Sequence, residues 1–364
     1  MDTVKFKKIA IDLSNKCEAC SVFDVNDDGT DDIVCGEYWY EGPDFTNKHK
    51  ICDITNENGY IWDFSDFPMD VNGNGRMDIL TGSWFGDGIY WRENPGDDSE
   101  WKNHKICDSS CVETIRFFDI DGDGELEIFP HCPMAPVYYL KLIKDENGNG
   151  TGAFEKYVLT EFEAGHGFGV GDVDSDGKLE IILKSGILHM PKGGADAGLW
   201  DFMPEFELNG SPSVPIIVYD VNGDGLNDII AGSGHDFGLF WWEQGKDADG
   251  NRRWTRHVID SAWSQYHDMQ LIDIDGDGEL ELLTGKRWMA HNGNDPGDSD
   301  DVFVCYYKIN REKQQIYRHV IDCGDATDGY TGVGLYFWTS DLTGNGKPDI
   351  IAPGKEGLYV LYNL

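Results

Sequence analysis

The chain has 364 residues, of which 67 are acidic and 29 basic, for a formal net charge of −38. That balance excludes nucleic acid as a partner, because neutralising phosphates takes clustered Lys and Arg. With 12 Trp, 16 Tyr and 18 Phe the chain carries far more core-forming material than a disordered one. No 18-residue apolar run occurs, which removes transmembrane helices and leaves no membrane partner. Met1 to Ala10 carries Lys5, Lys7 and Lys8 and lacks the apolar core of a secretory signal. Nine cysteines, an odd number without framework spacing, fit a reduced cytoplasm, and a mature exported form would fit the same residues.

Taken in chain order, the first predicted element is the strand Lys8-Ile-Ala-Ile-Asp12. A short strand, Ser21-Val-Phe23, then runs into an acidic loop holding Asp24, Asn26, Asp28 and Asp32. Ile33-Val34 continues as a strand, Tyr38-Trp-Tyr40 forms a third, and His49-Lys-Ile-Cys-Asp53 a fourth. The same unit returns around six further loops. Their residues are Asp70, Asn72, Asn74 and Asp78; Asp119, Asp121, Asp123 and Glu127; Asp172, Asp174, Asp176 and Glu180. Then follow Asp220, Asn222, Asp224 and Asp228; Asp273, Asp275, Asp277 and Glu281; and Asp341, Asn345 and Asp349. The first acids lie 46, 49, 53, 48, 53 and 68 residues apart, a blade-sized period.

Four strands per repeat predict an all-β, seven-bladed β-propeller filling residues 1–364 as one domain. The last repeat stops after its third strand, while residues 4–12 read as a fourth strand. The N-terminal strand is therefore expected to complete blade seven and close the ring.

Each loop has side-chain oxygens at positions 1, 3, 5 and 9 and a Gly at position 6 free to take positive φ, a pattern that wraps oxygens around Ca²⁺. An EF-hand needs Glu at position 12, where this chain has Cys35, Thr81, Pro130, Leu183, Ala231, Thr284 and Ala352. Ligand count ranks the loops: Asp70–Asp78 and Asp341–Asp349, with two carboxylates each, should bind Ca²⁺ most weakly.

These loops resemble those of the FG-GAP (VCBS-type) repeat propellers. The resemblance implies Ca²⁺ in the loops of the lower face and ligands on the upper face. Fold does not give function, so the upper face is read separately.

Six residues before each first acid stand Glu18, Phe64, Glu113, His166, Val214, His267 and Leu335, at the expected start of each innermost strand. Glu37, His131, Lys184 and Lys286 follow the second strands, with His235, Arg287 and His291 in the same loops. Any one of these histidines alone reads as a hydrogen-bonded wall residue. Together, Glu113, His131 and His166 suit Zn²⁺ or Mn²⁺ with an open position. The recurring His49, His104, His257 and His319 are expected to be structural. Cys17, Cys20, Cys107 and Cys111 read as ordinary buried thiols.

Glu18, Glu37, Trp84, Lys184, His235, Arg287, Trp288 and His291 are the expected substrate-binding residues, since aromatic faces and directed polar groups suit sugars. The segments Gly165-His-Gly-Phe-Gly-Val-Gly171, Gln265-Tyr-His-Asp268 and Thr284 to Gly297 resemble the propeller part of aldos-2-ulose dehydratases. That resemblance implies a sugar lyase acting by β-elimination on a keto-sugar or oxidised glycoside. Removing a proton α to a carbonyl would fall to His267 as base, with Lys286 or Tyr336 assisting. A uronate-type polysaccharide lyase and a non-catalytic carbohydrate- or protein-binding propeller remain alternatives.

Overall fold

A computed structural model describes residues 4–364. Seven four-stranded antiparallel sheets follow one another along the chain. Blade one contains Ser21–Phe23, Asp32–Cys35, Tyr38–Tyr40 and Lys48–Lys50. Blade two contains Phe67–Met69, Asp78–Gly82, Gly88–Glu93 and Lys102–Asp108. Blade three contains Thr114–Phe118, Glu127–His131, Pro136–Lys144 and Gly150–Glu163. Blade four contains Phe168–Gly171, Glu180–Leu183, Gly186–His189 and Asp201–Met203.

Blade five contains Ile217–Tyr219, Asp228–Gly232, Phe237–Lys246 and Arg252–Ser264. Blade six contains Met269–Ile272, Glu281–Gly285, Val302–Asn310 and Gln315–Gly324. In blade seven, Trp338–Ser340, Asp349–Gly354 and Gly357–Asn363 are completed by Phe6–Asp12. The outer strand runs antiparallel to the last one, with Phe6 opposite Asn363, as the truncated final repeat predicts.

The core lies between blades. Second strands such as Asp78–Gly82 and Asp228–Gly232 are buried along their whole length, because neighbouring blades cover both faces. Phe129 and Val137 of blade three pack with Ile181 and Leu188 of blade four in this way. On outer strands, His49 and His104 stack on Trp39 and Trp91 with ring centroids 4.0 and 4.2 Å apart, and His319 stacks on Tyr306 at 4.7 Å. These repeated histidines are structural, as their recurrence indicates.

Innermost strands converge so closely that side chains are excluded at some points. A Cβ on Gly169 would lie 2.1 Å from the Ile216 carbonyl oxygen, and one on Gly334 2.2 Å from that of Glu18. The channel they leave is crossed by Arg116 of blade three. Its Nη2 donates to Asp268 at 2.7 Å, to the Val214 carbonyl at 2.5 Å and to the Leu335 carbonyl at 3.3 Å. The guanidinium also lies over the Tyr336 ring, 4.4 Å from its centroid.

One charged group therefore ties blade three to the strand entries of blades five, six and seven. Removing one partner of a buried ion pair strands the other in low dielectric. We expect Arg116→Met to lower stability by about 3–5 kcal/mol in urea unfolding; a loss below about 1 kcal/mol, the range of surface pairs, would contradict this role. Deleting residues 1–12 should expose the edge of Gly357–Asn363 and lower the Tm; an unchanged Tm would show that this strand does not close the ring.

Candidate metal centre

Above Arg116, the entries to the innermost strands bring ionisable groups together. Glu113 immediately precedes Thr114–Phe118, and His166 and His267 stand just ahead of the first strands of blades four and six. His235 comes from the loop leaving the second strand of blade five. His166 Nε2 lies 3.2 Å from Glu113 Oε2 and 3.1 Å from His235 Nε2. His267 Nδ1 lies 3.5 Å from Glu113 Oε1. Two ligands of a tetrahedral zinc ion sit about 3.3 Å apart, given bonds of about 2.0–2.1 Å, so these separations have the edge length of a coordination polyhedron.

The second nitrogens fix which atoms are free. His166 Nδ1 faces the Pro212 carbonyl at 2.7 Å, and a carbonyl only accepts, so that nitrogen carries the hydrogen. His235 Nδ1 faces Asp295 Oδ2 at 2.9 Å and is the donor for the same reason. In the neutral rings both Nε2 atoms are lone pairs, pointed at each other beside a carboxylate. A cation must lie between them, either a proton on one ring or a metal ion. The pair of His235 and Asp295 is also the carboxylate–imidazole arrangement that orients metal ligands. His267 Nε2 is buried and has no hydrogen-bond partner.

Electrostatics keep this set ready to ligate. Burial alone would raise the Glu113 carboxyl, but its partner His166 outweighs it and holds it well below the usual carboxylate range. Burial, followed by Arg287 and His235, pushes His267 far down. His235 is pushed down to about 4, chiefly by burial. Burial also opposes charge on His166, yet the nearby Glu113 raises it overall. The proton alternative therefore belongs to His166.

A cavity of about 310 Å³ opens beside the cluster. Glu113, His166, His235, His291 and Arg287 give it a polar wall, and Tyr60, Phe64, Trp84 and Phe85 an aromatic one. Arg287 is held by Glu18 through two bonds, 2.7 Å at Nε and 3.0 Å at Nη2, both residues being buried. His291 stacks on His235 with centroids 4.2 Å apart, and its Nδ1 meets Asp295 Oδ1 at 3.0 Å.

Two insertions meet at the mouth. A small hairpin between blades one and two, Asn56–Glu57 with Tyr60–Ile61, reaches the blade-six insertion, Tyr60 donating to the Ala290 carbonyl at 2.8 Å. Asn292 returns a bond to the Asn58 carbonyl at 2.9 Å.

The column of strand entries thus places Glu113, His166 and His267 together, and Trp84, His235, Arg287 and His291 beside them. His131 lies behind the cavity, its ring centroid 6.0 Å from that of His166 and neither nitrogen partnered. Burial, then the neighbouring His166, pushes it down to about 3. Lys286 and Tyr336 do not line the cavity: the Lys286 ammonium binds the carbonyls of Gly297 and Asp300, and Tyr336 lies under Arg116. Glu37 accepts from the Ile54 amide at 2.8 Å, Lys184 pairs with Glu207 at 3.6 Å, and Trp288 is half-buried in the segment that carries Arg287. Cys17 and Cys20 are buried free thiols, as expected, whereas Cys107 and Cys111 are free but only half-buried.

Sequence reading missed Asp295, Tyr60 and Phe85. The spacing His291-x-x-x-Asp295 in the long blade-six insertion was the available signal for the first. Nothing local marks the other two, which reach the site through the inserted hairpin and the loop of blade two.

FG-GAP-like repeats are recognised at residues 70–129 and 220–284, from the acidic loop of one blade into the second strand of the next. No curated protein matches the chain. Two solved structures share its fold, both described as BBS1N in complex with ARL6DN, one soaked with lead and one with mercury. The first is 12% identical, with a TM-score of 0.52 over 100% of this chain and 97% of that one. The second is 12% identical, with a TM-score of 0.51 over 98% and 96%. At such identity the likeness concerns the fold alone. The chain is thus a seven-bladed β-propeller of four-stranded blades that carries FG-GAP-like repeats at these two places.

Proposed function

We propose that the protein is a metal-dependent carbohydrate lyase, with Zn²⁺ or Mn²⁺ held by Glu113, His166, His235 and His267 at the upper end of the propeller channel. The observation that carries this reading is the 3.1 Å approach of two imidazole Nε2 atoms whose other nitrogens already donate elsewhere. Bound there, the ion would polarise a substrate carbonyl as a Lewis acid. The aromatic wall of Tyr60, Phe64, Trp84 and Phe85 suits the C–H face of a sugar.

The chemistry that fits is β-elimination from a keto-sugar or oxidised glycoside. A base removes the proton α to the carbonyl, the C–H electrons form the C=C bond, and the β C–O bond breaks as its oxygen takes a proton. Geometry favours His291 over His267 as the base. His291 lines the cavity and is oriented through Nδ1 by Asp295, leaving Nε2 to accept, whereas His267 is buried against Glu113. Arg287 is the one Lys or Arg among the cavity residues, and Glu18 already balances it. That favours a neutral sugar over a uronate.

Turnover on a panel of keto-sugars, read as the ultraviolet absorbance of an unsaturated product, together with Zn²⁺ and Mn²⁺ calorimetry, tests the assignment. His166→Ala should abolish both metal uptake and turnover. His291→Ala should leave metal uptake intact and cost about 10²–10⁴-fold in kcat. Asp295→Asn should weaken metal binding by about 10–100-fold. Sugar binding without turnover in the metal-loaded protein would favour the binding-module alternative, and full turnover by His166→Ala would overturn the metal role.

A further inference from the structure

The Ca²⁺ that the repeat family implies does not fit all seven loops alike. In every loop the sixth-position glycine takes positive φ, from +81° at Gly346 to +90° at Gly124, and the first acid accepts the amide of that glycine, as Asp24 does from Gly29 at 2.8 Å. The loops divide at position nine.

Where the ninth residue is Asp, both carboxylate oxygens are taken by backbone amides. Asp32 accepts from Val25 at 2.9 Å and Gly42 at 2.8 Å, Asp78 from Val71 at 3.0 Å and Asn94 at 2.8 Å. Asp228 and Asp349 repeat this with Val221 and Gln244, and with Leu342 and Asn363. Where it is Glu, one oxygen accepts the equivalent first amide, Ile120, Val173 or Ile274. The extra methylene frees the other oxygen to face the loop.

The residue facing position nine from the third strand changes in step. The pairs Ile128 with Leu140 and Leu282 with Tyr307 put Lys141 opposite Glu127 and Lys308 opposite Glu281. The pairs Ile33 with Tyr40, Ile79 with Arg92 and Ile229 with Trp242 put Glu41, Glu93 and Glu243 opposite Asp32, Asp78 and Asp228, while Glu180 faces His189 and Asp349 faces Tyr362. Position three changes too: Asp121 and Asp275 accompany the lysines, Asn26, Asn72 and Asn222 the glutamates. Asn72 and Asn222 donate to Glu93 and Glu243, each at 3.2 Å.

Lys141 Nζ lies 2.6 Å from Asp121, 2.7 Å from Asp123 and 3.2 Å from Glu127. Lys308 Nζ binds Asp275, lies 2.6 Å from Asp277 and 3.4 Å from Glu281. In each loop the ammonium meets the carboxylates of positions three, five and nine, the oxygens a calcium ion would need. Partial burial disfavours both ammonium charges, but the carboxylates outweigh it and raise both lysines above their ordinary range.

We infer that Lys141 and Lys308 are tethered replacements for a divalent cation, so that the loops of blades three and six close on their own ammonium groups and take up no Ca²⁺. The ranking by carboxylate number is thereby reversed for these two loops: with four acids each they are the ones that need no ion. The inference concerns the lower face and stands whether or not the upper centre holds a metal.

The test is Ca²⁺ titration by calorimetry, with Tb³⁺ luminescence as a second probe, on the full chain and on the double variant Lys141→Met, Lys308→Met. We expect the variant to bind two more ions than the parent, and its Tm to fall in chelator and recover on adding Ca²⁺. An unchanged number of bound ions would overturn the inference. So would lanthanide density in the loops of blades three and six of the parent protein. A variant that unfolds in chelator and refolds with Ca²⁺ supports it, and one that Ca²⁺ cannot rescue counts against it.

Discussion

The buried contact between Arg116 and Asp268 sets the geometry on which the upper face depends. Seven innermost strands converging on an axis leave a channel too narrow for most side chains and too polar to stay empty, because their carbonyls at Val214 and Leu335 point into it. One guanidinium satisfies those carbonyls and a carboxylate together. Taking both charges out of water is expensive, so the pair is better understood as a register device than as a source of stability. Glu113 lies three residues before Arg116 at the entry to one innermost strand, and His267 adjoins Asp268 at the entry to another. Their separation is therefore fixed from below.

Much of this was legible in the sequence because the information was local. A nine-residue loop with an obligatory glycine, flanked by short apolar strands, dictates a hairpin whatever surrounds it, and seven copies dictate a ring. Counting back six residues from each loop found Glu113, His166 and His267, since a strand of fixed rise must start near the axis. Contacts that cross blades through irregular loops were not legible. Asp295 and His291 reach the centre only because Asp298 binds three backbone amides of the insertion, those of Ala290, His291 and Gly293, and bends it over the cavity. Lys286 and Tyr336 illustrate the converse: Lys286 stands in a promising column and Tyr336 next to one, but each side chain serves the fold.

The same distinction governs the acidic loops. Counting carboxylates along the chain treats a loop as a ligand set, but the residue that decides its charge balance lies on the third strand, some 14 to 27 positions away for Lys141 from Glu127 and Lys308 from Glu281. Strand register brings the two together. Two of the 29 basic residues, already counted in the net charge of −38, are thus engaged inside the loops, and much of the acidity is a property of scaffold loops more than a guide to partners.

Function rests on what lies between His166, His235, His267 and Glu113. Crystals of the protein grown with excess Zn²⁺ or Mn²⁺, with diffraction recorded on both sides of the metal absorption edge, test this most directly. The account predicts one anomalous peak within bonding distance of Glu113 and the His166 and His235 Nε2 atoms. A featureless map at that point, with the two imidazoles still in contact, would mean that a proton holds them together and that the site is no metal centre.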